Sequence, residues 1–143
     1  MNVAEIMQTN LVTSSPDATV VEVAQLLTEC GVGACLITQD GRLAGIFTER
    51  DLLRLVSTGA DVRNRPVAQV MTRRVTMAPP DADLLWAADT MRRLGVRHLP
   101  VGEGGLVAGI VSIRDLFAAA EAVLRLDPRG ADAARDMLSA AGA

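Results

Sequence analysis

The sequence predicts an α+β fold in which one β-α-β-β-α unit is built twice in tandem. Three observations carry that prediction. Sliding the chain along itself until Met7 falls on Met71 aligns two signatures without a gap, Gly45-Ile46-Phe47-Thr48-Glu49-Arg50-Asp51 and Gly109-Ile110-Val111-Ser112-Ile113-Arg114-Asp115, and the same shift superposes Pro16-Asp17-Ala18 on Pro80-Asp81-Ala82 and Gly31-Val32 on Gly95-Val96. Within each copy, apolar residues at helical spacing alternate with short apolar runs closed by turn residues. Finally, 143 residues suffice for one compact domain, whereas a unit of about 60 residues is marginal alone, so the copies should bury their apolar faces together.

Taken in order, Val3 to Met7 is a short apolar lead-in matched by Val67 to Met71. An extended piece follows in each copy, Leu11-Val12-Thr13 and Val75-Thr76-Met77, ended by a proline that no helix can run through. With Asp17 as cap, Val20, Val23, Ala24 and Leu27 form one face of an amphipathic helix, answered by Leu84, Ala87, Ala88 and Met91. Gly31 and Gly95 stand where a left-handed residue closes such helices. Ala34 to Thr38, the turn Asp40-Gly41 and Leu43 to Phe47 read as a hairpin, repeated by His98 to Val101, Gly102-Glu103-Gly104-Gly105 and Leu106 to Val111. A second helix starts at each signature and carries Leu52, Leu53, Leu55 and Val56, or Leu116 and Phe117.

The expected organisation is therefore repeat one over 3–56, a polar linker over 57–66, repeat two over 67–120 and an alanine-rich tail over 121–143. A short helix is expected within Ala131 to Ala143, frayed or docked on a partner subunit.

Half the residues are hydrophobic, yet there is no Tyr, one Trp and two Phe. The core must be aliphatic, and aromatic stacking on a base is not on offer. A net charge of −3 argues against general nucleic-acid binding, which needs a broad basic field, while leaving room for a small phosphate ligand held by a few arginines. No run reaches the ~18 apolar residues of a membrane span, and the N-terminus lacks the pattern of a signal peptide. The expected location is the cytoplasm. Cys30 and Cys35 align with Leu94 and Leu99, so both are expected as buried, reduced thiols, and with one distant His they make a poor metal set. Met7, Met71, Met77 and Met91 fall on core-like positions. Trp86, where repeat one has Glu22, lies off the buried stripe, which leaves contact with another subunit or the tail, or partial burial in the monomer.

Thr48-x-x-Asp51 and Ser112-x-x-Asp115 each admit two readings. A hydroxyl residue followed three positions on by an acid, ahead of an apolar run, is close to a capping box. The same carboxylate at a first helical turn can instead accept both hydroxyls of a ribose diol, with the hydroxyl and helix N–H groups facing a phosphate or ribose oxygen. Duplication and the glycine favour the second reading, since a cap alone does not need the glycine.

Together with Met71-Thr72, Pro80-Asp81-Ala82 and Gly95-Val96-Arg97-His98-Leu99-Pro100-Val101, the duplicated Gly-apolar-apolar-Thr/Ser-x-x-Asp signature resembles the CBS-domain pair family, or Bateman module, over roughly residues 3 to 120. The resemblance implies a disc-like module with a pseudo-two-fold axis, two clefts, and adenosine-containing ligands: AMP, ADP, ATP or S-adenosylmethionine. It implies that Asp51 and Asp115 hold ribose and that Thr48 and Ser112 make the neighbouring polar contact. Arg97 and His98 stand where that family often presents a basic side chain to phosphate, while repeat one has Gly33-Ala34 there. Arg50 and Arg114 lie inside the signatures and add positive charge. Thr13, three residues before its proline, is the family's usual residue, replaced in repeat two by Met77.

The function expected is that of a regulatory, energy- or metabolite-sensing module without catalytic residues. It signals through an unknown target protein or through a homodimer formed by its helices, since the chain leaves no room for a fused output domain. The competing reading is a ligand-free dimerisation scaffold in which the signatures are only caps. A nucleotide-hydrolysing enzyme is disfavoured, for the chain has no P-loop and no nucleophile with a base. If one cleft alone takes a charged nucleotide, the expectation is the one around Ser112 and Asp115.

Overall fold

The computed structural model describes residues 1–141, so the last two residues of the expected tail helix lie outside it. Its elements in chain order are α1 (Val3–Ile6), β1 (Thr13–Ser14), α2 (Val20–Cys30), β2 (Ala34–Gln39), β3 (Arg42–Thr48), α3 (Glu49–Ser57), a single 3-10 turn (Val67–Gln69), α4 (Leu84–Leu94), β4 (His98–Glu103), β5 (Leu106–Ser112), α5 (Ile113–Leu126) and α6 (Pro128–Ala141). Both hairpins form: β2 pairs antiparallel with β3, and β4 with β5, with a bulge at the same place in each, after Ile37 and after Val101.

Repeat one adds β1 parallel to β2, giving a three-stranded sheet, but repeat two keeps two strands. The expected strand at Val75-Thr76-Met77 is absent, and one parallel bridge, Ala78 to Val101, remains. Proline chemistry accounts for this. In repeat one the Leu36 N–H donates to the Val12 carbonyl at 2.9 Å; the residue aligned with Leu36 is Pro100, which has no N–H to give.

Helix ends follow local chemistry, with one correction. Thr19, not Asp17, caps α2: its hydroxyl accepts from the Glu22 N–H while the Glu22 carboxylate accepts from the Thr19 N–H. Asp83 caps α4 in the aligned place, accepting from the Trp86 N–H at 2.7 Å. The cap has to lie next to the first helical residue, two positions beyond Asp17. Trp86 therefore occupies the position of the acid that completes the box in repeat one, and it keeps 38% of its surface exposed. Gly31 and Gly95 end their helices at φ 65° in the left-handed region.

The two repeats exchange their lead-ins. Val3 is buried among Ala78, Ala87, Met91, Leu99, Val101, Val111 and Leu116 of repeat two. Val67 and Met71 are buried among Val20, Val23, Leu27, Cys35, Ile37 and Phe47 of repeat one. Each lead-in then bridges the last strand of the other repeat: Gln8 and Ile110 exchange backbone bonds of 2.8 and 3.0 Å, and Thr72 and Ile46 two of 2.9 Å. The matched pairs express a pseudo-two-fold relation. A third cluster, with Ala34, Leu36 and Ile46 against Leu11, Val75, Val107 and Ile110, fills the seam between the sheets.

The exchange also explains the signature glycines. A Cβ on Gly45 would stand 2.8 Å from the Thr72 carbonyl oxygen, and one on Gly109 3.0 Å from that of Gln8, with the Met71 and Met7 side chains closer still. The glycine admits the lead-in backbone of the other repeat; it is not a ligand feature. The linker is docked as well, since Val20 and Val21 donate to the carbonyls of Arg65 and Val62 at 2.9 Å each.

Cys35 is buried, and burial pushes its thiol up to about 11, with nearby Cys30 adding to the shift. Cys30, expected inside, is exposed; it ends α2 where the chain turns off the core, and its counterpart Leu94 is 48% exposed. α3 buries no residue: Leu52 and Leu55 are half-buried, but Leu53 and Val56 are 69% and 57% exposed.

Candidate functional site

Both signatures form full capping boxes. Asp51 Oδ2 accepts from the Thr48 N–H at 3.0 Å and its hydroxyl at 3.1 Å, and Thr48 Oγ1 accepts from the Asp51 N–H at 3.3 Å. At the second signature the corresponding distances are 2.7, 2.9 and 3.2 Å. One oxygen of each carboxylate is thus committed to its helix N-terminus, and the surroundings differ at the other. Asp115 Oδ1 accepts from Gln8 Nε2 at 3.2 Å, whereas Asp51 Oδ1 has the Arg54 guanidinium at 3.9 Å.

Asp115 lines a cleft of about 780 Å³ that both repeats build. Ser112, Ile113, Arg114, Arg97, His98 and Ile110 come from repeat two; the opposite contribution comes from Gln8, Asn10 and Val12, from the end of α2, from the Gly31 to Ala34 turn and from the start of α3. Four predicted site residues besides Asp115 therefore converge there: Ser112, Arg97, His98 and Arg114. Val12, Leu27, Val32, Leu36 and Ile110 give the cleft an aliphatic side, in keeping with a chain poor in aromatic residues. A cleft of this size, apolar on one side with a few polar groups on the other, has the general form of a small-molecule site.

Thr48, Arg50, Asp51 and Thr13 do not line it. Arg50 is engaged elsewhere, donating to the Gly95 carbonyl at 3.1 Å and so tying the start of α3 to the end of α4. Thr13 lies exposed on β1, and the neighbouring Val12 and Asn10 face the cleft instead. Because the lead-ins cross over, the early segment of repeat one faces the carboxylate of repeat two. A smaller hollow of about 360 Å³ by the glycine-rich turn includes Arg73 and Met77 but no signature residue.

Electrostatically the cleft is mixed. The Arg97 and Arg114 side chains are exposed at its wall, and His98 is half-buried between them and two carboxylates. Burial pushes the His98 imidazole below its ordinary range, partly countered by Glu49 and then Asp115, while Arg97 and Arg114 add to the lowering. Burial thus disfavours a charge on His98, and the other charged groups facing it are two arginines and two carboxylates.

Several cleft residues escaped the sequence reading, Gln8, Gly33 and Glu49 among them. Gln8 is reached only through the exchange of lead-ins, which no local pattern announces. Gly33 passed as a missing charge, yet a Cβ there would stand 2.9 Å from Glu49 Oε1 and 3.5 Å from His98 Cε1, so glycine leaves room where the two repeats meet. Glu49 was an undistinguished position inside the first signature; its counterpart Ile113 is apolar, and that difference was the available signal. Among the described residues there is no group of three or more His, Cys, Asp or Glu able to hold a metal ion.

A family model described as CBS domain matches residues 3–58 and again 67–122. The CBS domain-containing protein YhcV of Bacillus subtilis is 34% identical over 116 residues, 80% of this chain and 82% of that protein. Among solved structures, a protein with CBS domains from Burkholderia ambifaria superposes with a TM-score of 0.81 at 30% identity, covering 85% of this chain and 95% of that one. A CBS domain protein from Pyrobaculum aerophilum, solved in complex with AMP, gives 0.74 at 28% identity over 80% and 89%.

Proposed function

This chain belongs to the CBS-domain family, with two repeats in tandem, and from that premise we propose that it is a regulatory protein that binds an adenosine-containing ligand in the cleft around Asp115. The observation that supports this most is convergence: an acidic acceptor, two arginines, a histidine and an aliphatic wall meet in one cavity of about 780 Å³. The ribose diol approaches Asp115 at the oxygen that Gln8 now holds, the phosphate lies toward Arg97, His98 and Arg114, and the base packs on Val12, Leu27 and Val32. A charge-assisted bond at Asp115 is about twice as strong as a neutral one. AMP is the leading ligand, given its presence in a relative of similar fold; ADP, ATP and S-adenosylmethionine are the other members of the class. The reading has no catalytic role for His98.

Output requires that the ligand prefer one arrangement of the protein over another. Leu53 and its counterpart Phe117, on α3 and α5, are 69% and 73% exposed, which supports a homodimer through these helices or contact with a target protein. No helix among the described residues is long and apolar enough to cross a membrane, and we place the protein in the cytoplasm. The reading is tested by thermal melting with AMP, ATP and S-adenosylmethionine in turn. Ligand at ~100 times its Kd adds about 2.7 kcal/mol, a shift of several degrees. If none of the adenosyl compounds raises the Tm, the ligand-free scaffold is the correct account.

A further inference from the structure

We infer that Glu49, at the first turn of α3 in repeat one, sets the charge of the ligand that the Asp115 cleft accepts, and that it selects adenosyl compounds with no more than one phosphate. The inference rests on the adenosyl reading above and narrows it.

The placement is specific. Glu49 is anchored by its backbone, the N–H donating to the Gly33 carbonyl at 3.0 Å, and its side chain lines the same cavity as Arg97, His98 and Arg114. The position of an absent Gly33 Cβ gives the scale: 2.9 Å to Glu49 Oε1 and 3.5 Å to His98 Cε1. The carboxylate therefore stands within one side-chain length of the imidazole, across the cleft from the basic side chains of repeat two. Repeat two has Ile113 in the aligned position, with the same backbone bond to the Arg97 carbonyl at 2.9 Å, so nothing in the helix start itself requires an acid there.

Charge balance decides the ligand class. Asp115 is occupied by the ribose, and burial disfavours a charge on His98, so the arginines carry the fixed positive charge. Two guanidiniums against Glu49 leave one net positive charge for the phosphate end. That suits a monophosphate, or an uncharged adenosyl thioether. A triphosphate brings about two further negative charges to the same region, close to a carboxylate with no counterpart to neutralise them. Charges several Å apart in the intermediate dielectric of a half-open cleft change affinity on the order of tenfold per unit charge.

The test is titration calorimetry of the full chain with AMP and with ATP, in EDTA and without magnesium so that ATP keeps its charge. Wild-type protein is expected to bind AMP at least about tenfold more tightly than ATP. Glu49→Gln, which keeps the side-chain size, is expected to narrow the preference about tenfold, mainly by tightening ATP, and Glu49→Lys to narrow it further. Glu49 is exposed and caps nothing with its side chain, so the unliganded variants should melt within a few degrees of wild type. If ATP matches AMP on the wild type, or if both bind and neither variant changes their ratio, this inference is overturned while the adenosyl reading stands. If neither nucleotide binds the wild type or a variant, this inference falls, and the adenosyl reading falls with it only if S-adenosylmethionine also leaves the Tm unchanged.

Discussion

Thr48 and Ser112 enter their helices with nearly the same extended backbone, φ −117° and −108°, and each exchanges the same three hydrogen bonds with its aspartate, yet only Ser112 and Asp115 line the large cleft. The glycine before each signature meets the other repeat's lead-in backbone in the same way. Up to this point the two copies are one folding device. They part in what the rest of the chain brings to them. Asp115 receives Gln8 and stands near Arg97, His98 and Arg114, whereas Asp51 has Arg54 beside it, and Arg50 is spent on the Gly95 carbonyl. A repeated cap-and-glycine motif thus secures the fold twice, while the residues around its two aspartates differ.

The largest effects should be those that treat the two copies alike. Gly45→Val and Gly109→Val each push a side chain into backbone from the other repeat, so each is expected to destabilise the protein by about 3 kcal/mol, at the upper end of overpacking costs, as read from urea unfolding. A cost confined to one copy would break the equivalence. Thr48→Ala and Ser112→Ala come next, each losing about 1 kcal/mol of cap. Here the comparison sharpens: the stability losses should match, while affinity for AMP should fall only with Ser112→Ala.

The pH effect is smaller. His98 is held below the ordinary histidine range by burial, facing Glu49, Asp115, Arg97 and Arg114. In that state the unfolded chain binds a proton more readily than the folded one. The ligand-free protein should therefore lose stability as pH falls from the ordinary histidine value through the lowered one. A phosphate near the imidazole favours its protonation, so affinity for AMP should rise a few-fold as pH falls from about 8 to about 6.5. His98→Asn should abolish that rise, and adenosine, lacking the phosphate, should not show it. An identical pH profile for AMP and adenosine would remove His98 from the phosphate end.

Much of this was legible from the chain alone, because its signals are local. Both hairpins formed within a residue or two of the positions read from Asp40-Gly41 and the glycine-rich turn, and Gly31 and Gly95 closed their helices as expected. Thr19 displaced Asp17 as cap because adjacency to the first turn outweighs residue type, and Pro100 removed a strand by withholding one N–H. Cys30 was misplaced because periodicity does not say where a helix leaves the core. The exchange of lead-ins left no local trace. Val3 and Val67 look equivalent in sequence, and each packs in the core of the other copy. The composition of the cleft, with Gln8 and Glu49 of repeat one beside Asp115 of repeat two, follows from that exchange and could not be read before it.

Calorimetric titration of AMP into wild type, Asp115→Asn and Asp51→Asn decides whether one of the two like signatures holds the ligand. Both substitutions weaken a cap, so a stability loss of about 1 kcal/mol is common to them. The account predicts one AMP per chain, with affinity falling between about tenfold and a hundredfold for Asp115→Asn, the span of a lost bond to a charged group, and by less than about threefold for Asp51→Asn. Two equivalent AMP per chain, or equal losses from the two substitutions, would contradict it.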